Sequence, residues 1–203
     1  GIYNIRISGS MIEDMPQGAE FFKDIRFFEK EFNGVMPLEI LIDTKRKEGV
    51  MAAATLRRMD ELHTVIEEIP EYSKPISIEE IVKYAKQAYY NGNPEYYRLP
   101  SSQERNFILP FVKNSISETN LLESYVDSTG QFARITTFMM DTETERMERI
   151  EEDLTEEIAK IFPEDRYEVS LTGKAVLFQK GTKYLVNNLI ISLALAIFLI
   201  SVF

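Results

Sequence analysis

Cysteine is absent from this chain, and histidine occurs once, as His63. Without thiols there is no disulfide framework, no zinc–thiolate site and no thiol nucleophile. A single imidazole excludes a pair of histidine metal ligands and any relay that needs a second histidine. Lying beside the apolar face of a helix, His63 reads as a helix-surface residue. Also missing are a phosphate-binding Walker loop, a Gly-rich dinucleotide turn, a zinc-binding HExxH helix and a Gly-x-Ser-x-Gly elbow. Positive charge is in deficit: 23 Lys and Arg stand against 33 Asp and Glu, a formal charge of -10. That balance argues against a nucleic-acid surface or a polybasic anchor. No repeat of domain size and no low-complexity tract occurs.

What is present in unusual purity is an apolar run at the C-terminal end. Tyr184 to Phe203 carries no charged residue. At about 1.5 Å per residue a helix of this length spans roughly 30 Å, the thickness of a bilayer's hydrocarbon core. Only Asn187, Asn188, Ser192 and Ser201 interrupt it, too few for the polar face of a soluble helix. Lys180 and Lys183 precede it, where long side chains snorkel to the interface. Residues 184–203 are therefore predicted to be a transmembrane helix, and residues 1–183 a folded domain outside the bilayer. The chain begins with Gly1, which fits a loop domain cut from a longer polytopic protein.

Within 1–183 the hydrophobic period marks the elements. Ile2–Ile7 alternates like a short strand, with the frayed exit of an earlier membrane helix as the alternative, and Asp14–Gly18 has turn chemistry. Phe21, Phe22, Ile25, Phe28 and Phe32 recur at helical spacing and predict a core-packed aromatic stripe, ended by Asn33-Gly34 as a left-handed cap. Val35–Asp43 reads as the first main strand, with Pro37 at its start or on an edge. A helix follows with Leu56, Met59, Leu62, Ile66 and Ile69 as its stripe, stopped by Pro70. Tyr72–Ile76 supplies a short second strand. Ser77 and Glu80 have the spacing of a capping box. They open a helical insertion over about 77–125, with a second helix from Ser102 to Lys113 kinked at Pro110. Gln131–Met140 is the third strand. Thr142–Phe162 is a helix with Met147, Ile150, Leu154, Ile158 and Ile161 on one face, and Tyr167–Thr172 is a last strand. The order strand–helix–strand, insertion, strand–helix–strand predicts an α/β (α+β) fold, the split βαβ of a ferredoxin-like sandwich.

Candidates for chemistry are few. The acidic residues from Asp141 to Glu157 interleave with Arg146, Arg149 and an apolar stripe. They read as a solvated helix face, with Glu145 and Arg149 as an i,i+4 pair, rather than a metal site. Asp127-Ser128-Thr129-Gly130 has the look of an aspartic-protease loop but is one residue too long and has no second copy, so it reads as a turn. Tyr89, Tyr90, Tyr96 and Tyr97 form a candidate contact surface, with a locally packed loop as the alternative. Gly173 and Gly181 bracket the segment before the apolar run and form a candidate hinge, the alternative being a tight turn and a tolerated helix glycine. No catalytic residue, cofactor site or metal site is predicted, and no enzyme.

Phe32-Asn33-Gly34 before a strand, the Thr172-Gly173 step and the membrane helix soon after resemble an extracytoplasmic loop of RND-superfamily transporters. The closest group is the MMPL-type, patched-like exporters. The resemblance runs from Ile2 to Phe203, and Met11–Pro16 looks more like the second loop of such a protein than the first. It implies a ferredoxin-like porter subdomain, placed extracytoplasmically at a bacterial inner membrane. It also implies a second porter loop and further membrane helices in the same chain, and export of a lipidic or amphipathic substrate. Proton-relay residues would lie in those other helices. The alternative is the ectodomain of a single-pass sensor or assembly protein that binds a partner.

Overall fold

A computed structural model of the chain describes residues 20–32, 34–116 and 122–202. The elements are α1 (Glu20–Phe32), β1 (Met36–Asp43), α2 (Ala53–Glu67), α3 (Ile78–Tyr89), a 3-10 turn over Pro94–Tyr96, α4 (Arg105–Ile116), β2 (Phe132–Met139), α5 (Thr144–Ile161), β3 (Glu168–Gly173) and α6 (Lys174–Val202). The expected strand at Ile2–Ile7, the turn at Asp14–Gly18 and Asn33 of the expected cap lie outside the described residues.

Helices and sheet are mixed, and the three strands are antiparallel in the order β2–β1–β3. Period-2 alternation decides which face of the sheet is covered. Met36, Leu38, Ile40 and Ile42 of β1 and Ala133, Ile135, Thr137 and Met139 of β2 are all buried. Against them pack Leu56, Met59, Leu62 and Ile66 of α2 and Met147, Ile150, Leu154, Ile158 and Ile161 of α5. The two helices touch each other and share this one face. Truncating a buried side chain such as Met59 or Leu154 to Ala would cost about 2–5 kcal/mol. Arg58 ties the helices together by donating to the Ile161 carbonyl, and the Thr55 hydroxyl meets the Tyr167 hydroxyl at 3.2 Å. The opposite face carries Glu39, Thr136 and Arg134, with the Thr136 hydroxyl donating to Glu39 at 2.8 Å.

The segment expected to be a second strand makes only isolated antiparallel bridges to β2, Tyr72↔Met139 and Ile76↔Thr136. Ser73 N donates to Phe138 O at 2.8 Å, and Ile76 N and Thr136 N exchange bonds with each other's carbonyls. Pro75 lacks an amide hydrogen, which keeps this from becoming a regular ladder.

One sequence expectation needs correction. Among the described side chains of α1 only Phe22 is buried, while Phe21, Phe27 and Phe28 are half exposed or more, so these phenylalanines do not form a core stripe of the described fold. Gly34 has φ +137°, a positive value that favours glycine, and a Cβ there would lie 2.7 Å from the Met139 carbonyl carbon. Its role is close backbone approach to β2, with Val35 N donating to Met139 O at 3.2 Å.

β3 passes into α6 with no intervening loop. The helix is 29 residues long, roughly 43 Å at about 1.5 Å per residue. Tyr184–Val202 is long and apolar enough to cross a membrane, and none of it is buried by the rest of the chain. A helix apolar on every side and covered by none of the described residues is suited to solvation by lipid.

Candidate functional site

Helix α3 has two covered sides, because it lies between α2 and α4. Its α4 side forms a small second core of Val82, Ala85, Ile108 and Val112. Its α2 side is polar. Ser77 caps the helix, its hydroxyl accepting from Glu79 N at 3.2 Å. Glu80, expected to complete a capping box, instead turns inward beside Glu79. Both are buried, and so is His63 from α2, at 2 % exposure.

His63 Nδ1 lies 3.1 Å from Glu79 Oε2 and 3.8 Å from Glu80 Oε1. Lys83, one turn further along α3, contacts Glu79 Oε1, reaches Asp60 of α2 at 2.5 Å and stands 3.4 Å from Glu80 Oε1. Tyr97, following the 3-10 turn, donates its hydroxyl to Glu80 Oε2. The half-exposed Lys74 lies 3.4 Å from the same oxygen. Despite this crowding, neither nitrogen of His63 and neither carboxylate oxygen of Glu79 has an aligned hydrogen bond, and all four atoms are buried.

The two glutamates titrate in opposite directions. Burial pushes the Glu79 carboxyl up to about 8 against the pull of Lys83. Burial also disfavours ionised Glu80, but the nearby His63 imidazole, the Tyr97 hydroxyl and the charges of Lys74 and Lys83 outweigh it and hold that carboxyl near 2. Lys83 loses stability as an ion through burial, yet Asp60 and Glu79 raise its pKa. Neighbouring acids with separated pKa values are the arrangement in which one holds a proton while the other stays ionised.

This corrects the reading of His63 as a surface residue. Leu56, Met59, His63 and Ile66 recur at i, i+3, i+7 and i+10, so His63 stands inside the buried stripe. That spacing was the available signal. Glu79 carried none, because acidic residues in a first helical turn are ordinary.

The other candidates fall in different places. Tyr97 belongs to the acid cluster and packs edge-on against Tyr84. Tyr90 stacks on Tyr96 with centroids 3.9 Å apart and donates to Glu104 at 3.3 Å. Tyr89 packs against Phe107 and Phe111 of α4 and keeps nearly half its surface exposed. Tyr89 also meets Tyr90 edge-on, so Tyr89, Tyr90 and Tyr96 form one run of touching rings. Gly173 ends β3, paired with Leu38, at φ +110°. Gly181 lies within the unbroken α6, where an added Cβ would meet nothing within 4 Å. Asp127 is the head of a turn: its Oδ1 accepts from Gln131 N and Phe132 N and its Oδ2 from Thr129 N. Burial opposes its ionised form, but the Thr129 hydroxyl, donating to Oδ2 at 2.6 Å, and those backbone bonds hold its carboxyl near 2. The acidic side of α5 is solvated at Glu152, Asp153 and Glu156. No ion pair joins Glu145 to Arg149; Arg146 instead pairs with Glu71 at 2.7 Å.

A cleft of about 820 Å³ opens beside the insertion, lined by Met51, Leu109, Pro110 and Val126 and by charges of both signs, Arg46, Arg105 and Lys113 with Glu48, Glu123 and Asp127. No protein-family model matches the sequence, and no curated protein matches it with significance.

Proposed function

We propose that the chain is an extracytoplasmic porter-like domain of an RND-superfamily, MMPL-type exporter at a bacterial inner membrane, gating or lining the path of a lipidic or amphipathic substrate. The observation that carries this reading is the passage from sheet to membrane helix. β3 hydrogen-bonds to the central strand and continues directly into α6, so displacement of the apolar helix is delivered to the sheet without a slack linker. Transport by alternating access needs such a mechanical path between membrane and substrate domain.

The sheet order supports the finer fold. With the bridging segment Tyr72–Ile76 counted as a short strand outside β2, the spatial order is that segment, β2, β1, β3. In chain order this is 2-3-1-4, the antiparallel split βαβ arrangement of a ferredoxin-like sandwich, with both helices on one face. The cleft beside the insertion, lined by apolar side chains and by charges of both signs, is suited to an amphipathic molecule.

The test is the full protein encoded by the surrounding reading frame. It is expected to contain further membrane helices and a second domain of this kind, and to move a fluorescent lipid analogue across proteoliposome membranes when a proton gradient is imposed. A frame holding this one membrane helix and a cytoplasmic signalling module, with no lipid-analogue transport, would replace this reading with the single-pass sensor.

A further inference from the structure

We propose that His63, Glu79 and Glu80 form a binding site for a divalent transition-metal ion of zinc-like chemistry. Three ligand atoms, one from each residue, lie within 4.8 Å of one another. Ligands about 2.0–2.2 Å from a tetrahedral zinc ion stand about 3.3–3.6 Å apart. The distances from His63 Nδ1 to Glu79 Oε2 and to Glu80 Oε1, 3.1 and 3.8 Å, bracket that edge.

The independent observation is the buried imidazole without an aligned hydrogen bond. Buried polar atoms are nearly always hydrogen-bonded. Yet both nitrogens of His63 are buried without one, and so is Glu79 Oε2, whereas Glu79 Oε1 is held by the Lys83 ammonium. His63 Nδ1 and Glu79 Oε2 face one another across the α2–α3 contact, where a cation would satisfy the imidazole and the carboxylate together.

Surrounding groups orient the ligands as outer partners of a metal site do. Tyr97 donates to the Glu80 oxygen turned away from His63, and Lys83 contacts the Glu79 oxygen turned away from it. Charge points the same way. Asp60, Glu79 and Glu80 place three carboxylates against two ammonium groups, Lys83 and Lys74. One negative charge is left over, which a bound cation offsets. Any proton on a ligand atom leaves to solvent as the metal–ligand bond forms. An imidazole with two carboxylates suits zinc and its neighbours rather than calcium or magnesium, which take six or more oxygen ligands.

The test uses the purified chain in detergent, stripped with chelator and dialysed against Zn²⁺ at pH 7.5. About one ion should be retained per chain, and His63→Gln and Glu79→Gln should each weaken binding by roughly tenfold to a hundredfold. Affinity of the wild type should fall between pH 7 and 6 as protons compete with the metal for the ligand atoms. Co²⁺ provides a readout that needs no variant: a tetrahedral site with a nitrogen ligand gives intense visible absorption, whereas surface carboxylates give only weak octahedral bands. Equal Zn²⁺ retention by folded wild type and folded His63→Gln, or only octahedral Co²⁺ bands in the wild type, would overturn the proposal.

Discussion

His63 Nδ1 lies 3.1 Å from Glu79 Oε2 in a helix–helix contact that leaves both side chains almost no solvent exposure. The relationship has a consequence for the stability of the metal-free chain. The Glu79 carboxyl titrates near 8 in the folded chain and near 4.3 when unfolded. Between those values the native state binds more protons than the unfolded state, so stability falls as pH rises. Glu80 has the opposite sign, but its contribution is lost only as pH drops below about 4, outside this window.

With chelator present, denaturant melts of the wild type should therefore show stability declining from pH 5 to pH 8, by a few kcal/mol at most given about 1.4 kcal/mol per pKa unit. Glu79→Gln keeps the shape without the ionisation and should flatten that decline. An unchanged slope in the variant would mean that Glu79 is not the proton-holding group.

The two glycines of the candidate hinge should part company on substitution. At Gly173 the backbone has φ +110° and an added Cβ would lie 2.6 Å from Pro37 O. Gly173→Ala should lower the amount of folded protein, at a cost of about 1–3 kcal/mol for the strained backbone alone. Gly181→Ala meets no obstacle and should stabilise α6 by up to about 1 kcal/mol. Only Gly181 thus offers a clean test of bending in this segment. If α6 flexes there during transport, Gly181→Ala in the full transporter lowers export per molecule at normal protein level; an unchanged rate would assign Gly181 no hinge role.

Lys86 is 1 % exposed and is neutralised by Glu104 at 2.8 Å, with the Leu99 carbonyl at 3.4 Å. Removing one partner of such a pair costs more than removing both, because a lone buried ion is left behind. Glu104→Gln should destabilise by about 3–5 kcal/mol, and adding Lys86→Met should recover part of the loss. A double variant less stable than Glu104→Gln alone would show that Lys86 is not held chiefly by this carboxylate.

How far the fold could be read beforehand follows from which residues face one partner. The stripes of α2 and α5 each meet a single sheet face, so a 3.6-residue period identified Leu56–Met59–Leu62–Ile66 and Met147–Ile150–Leu154–Ile158 directly. α3 meets two partners, and its buried set of Ile78, Glu79, Glu80, Val82, Ala85 and Lys86 wraps more than half the helix. No single periodic stripe describes that set, and Glu80 already satisfied a capping motif at the level of sequence. The site was therefore hidden by tertiary context: His63 was visible as part of a stripe, but its carboxylate partners were not. The half-exposed phenylalanines of α1 show the converse error, since helical spacing alone does not say that a covering surface exists.

The placement of the domain outside the cytoplasm, on a helix that enters the bilayer, is the claim on which the functional account rests. The absence of cysteine makes it directly measurable. Glu152 is solvent-exposed on α5, so Glu152→Cys creates a single reporter thiol within this chain. Expressed in a full-length parent whose other cysteines, if any, are replaced, it should react with a membrane-impermeant maleimide added to intact spheroplasts, to the same extent as after lysis. Labelling confined to lysed cells would place the domain in the cytoplasm and contradict the account.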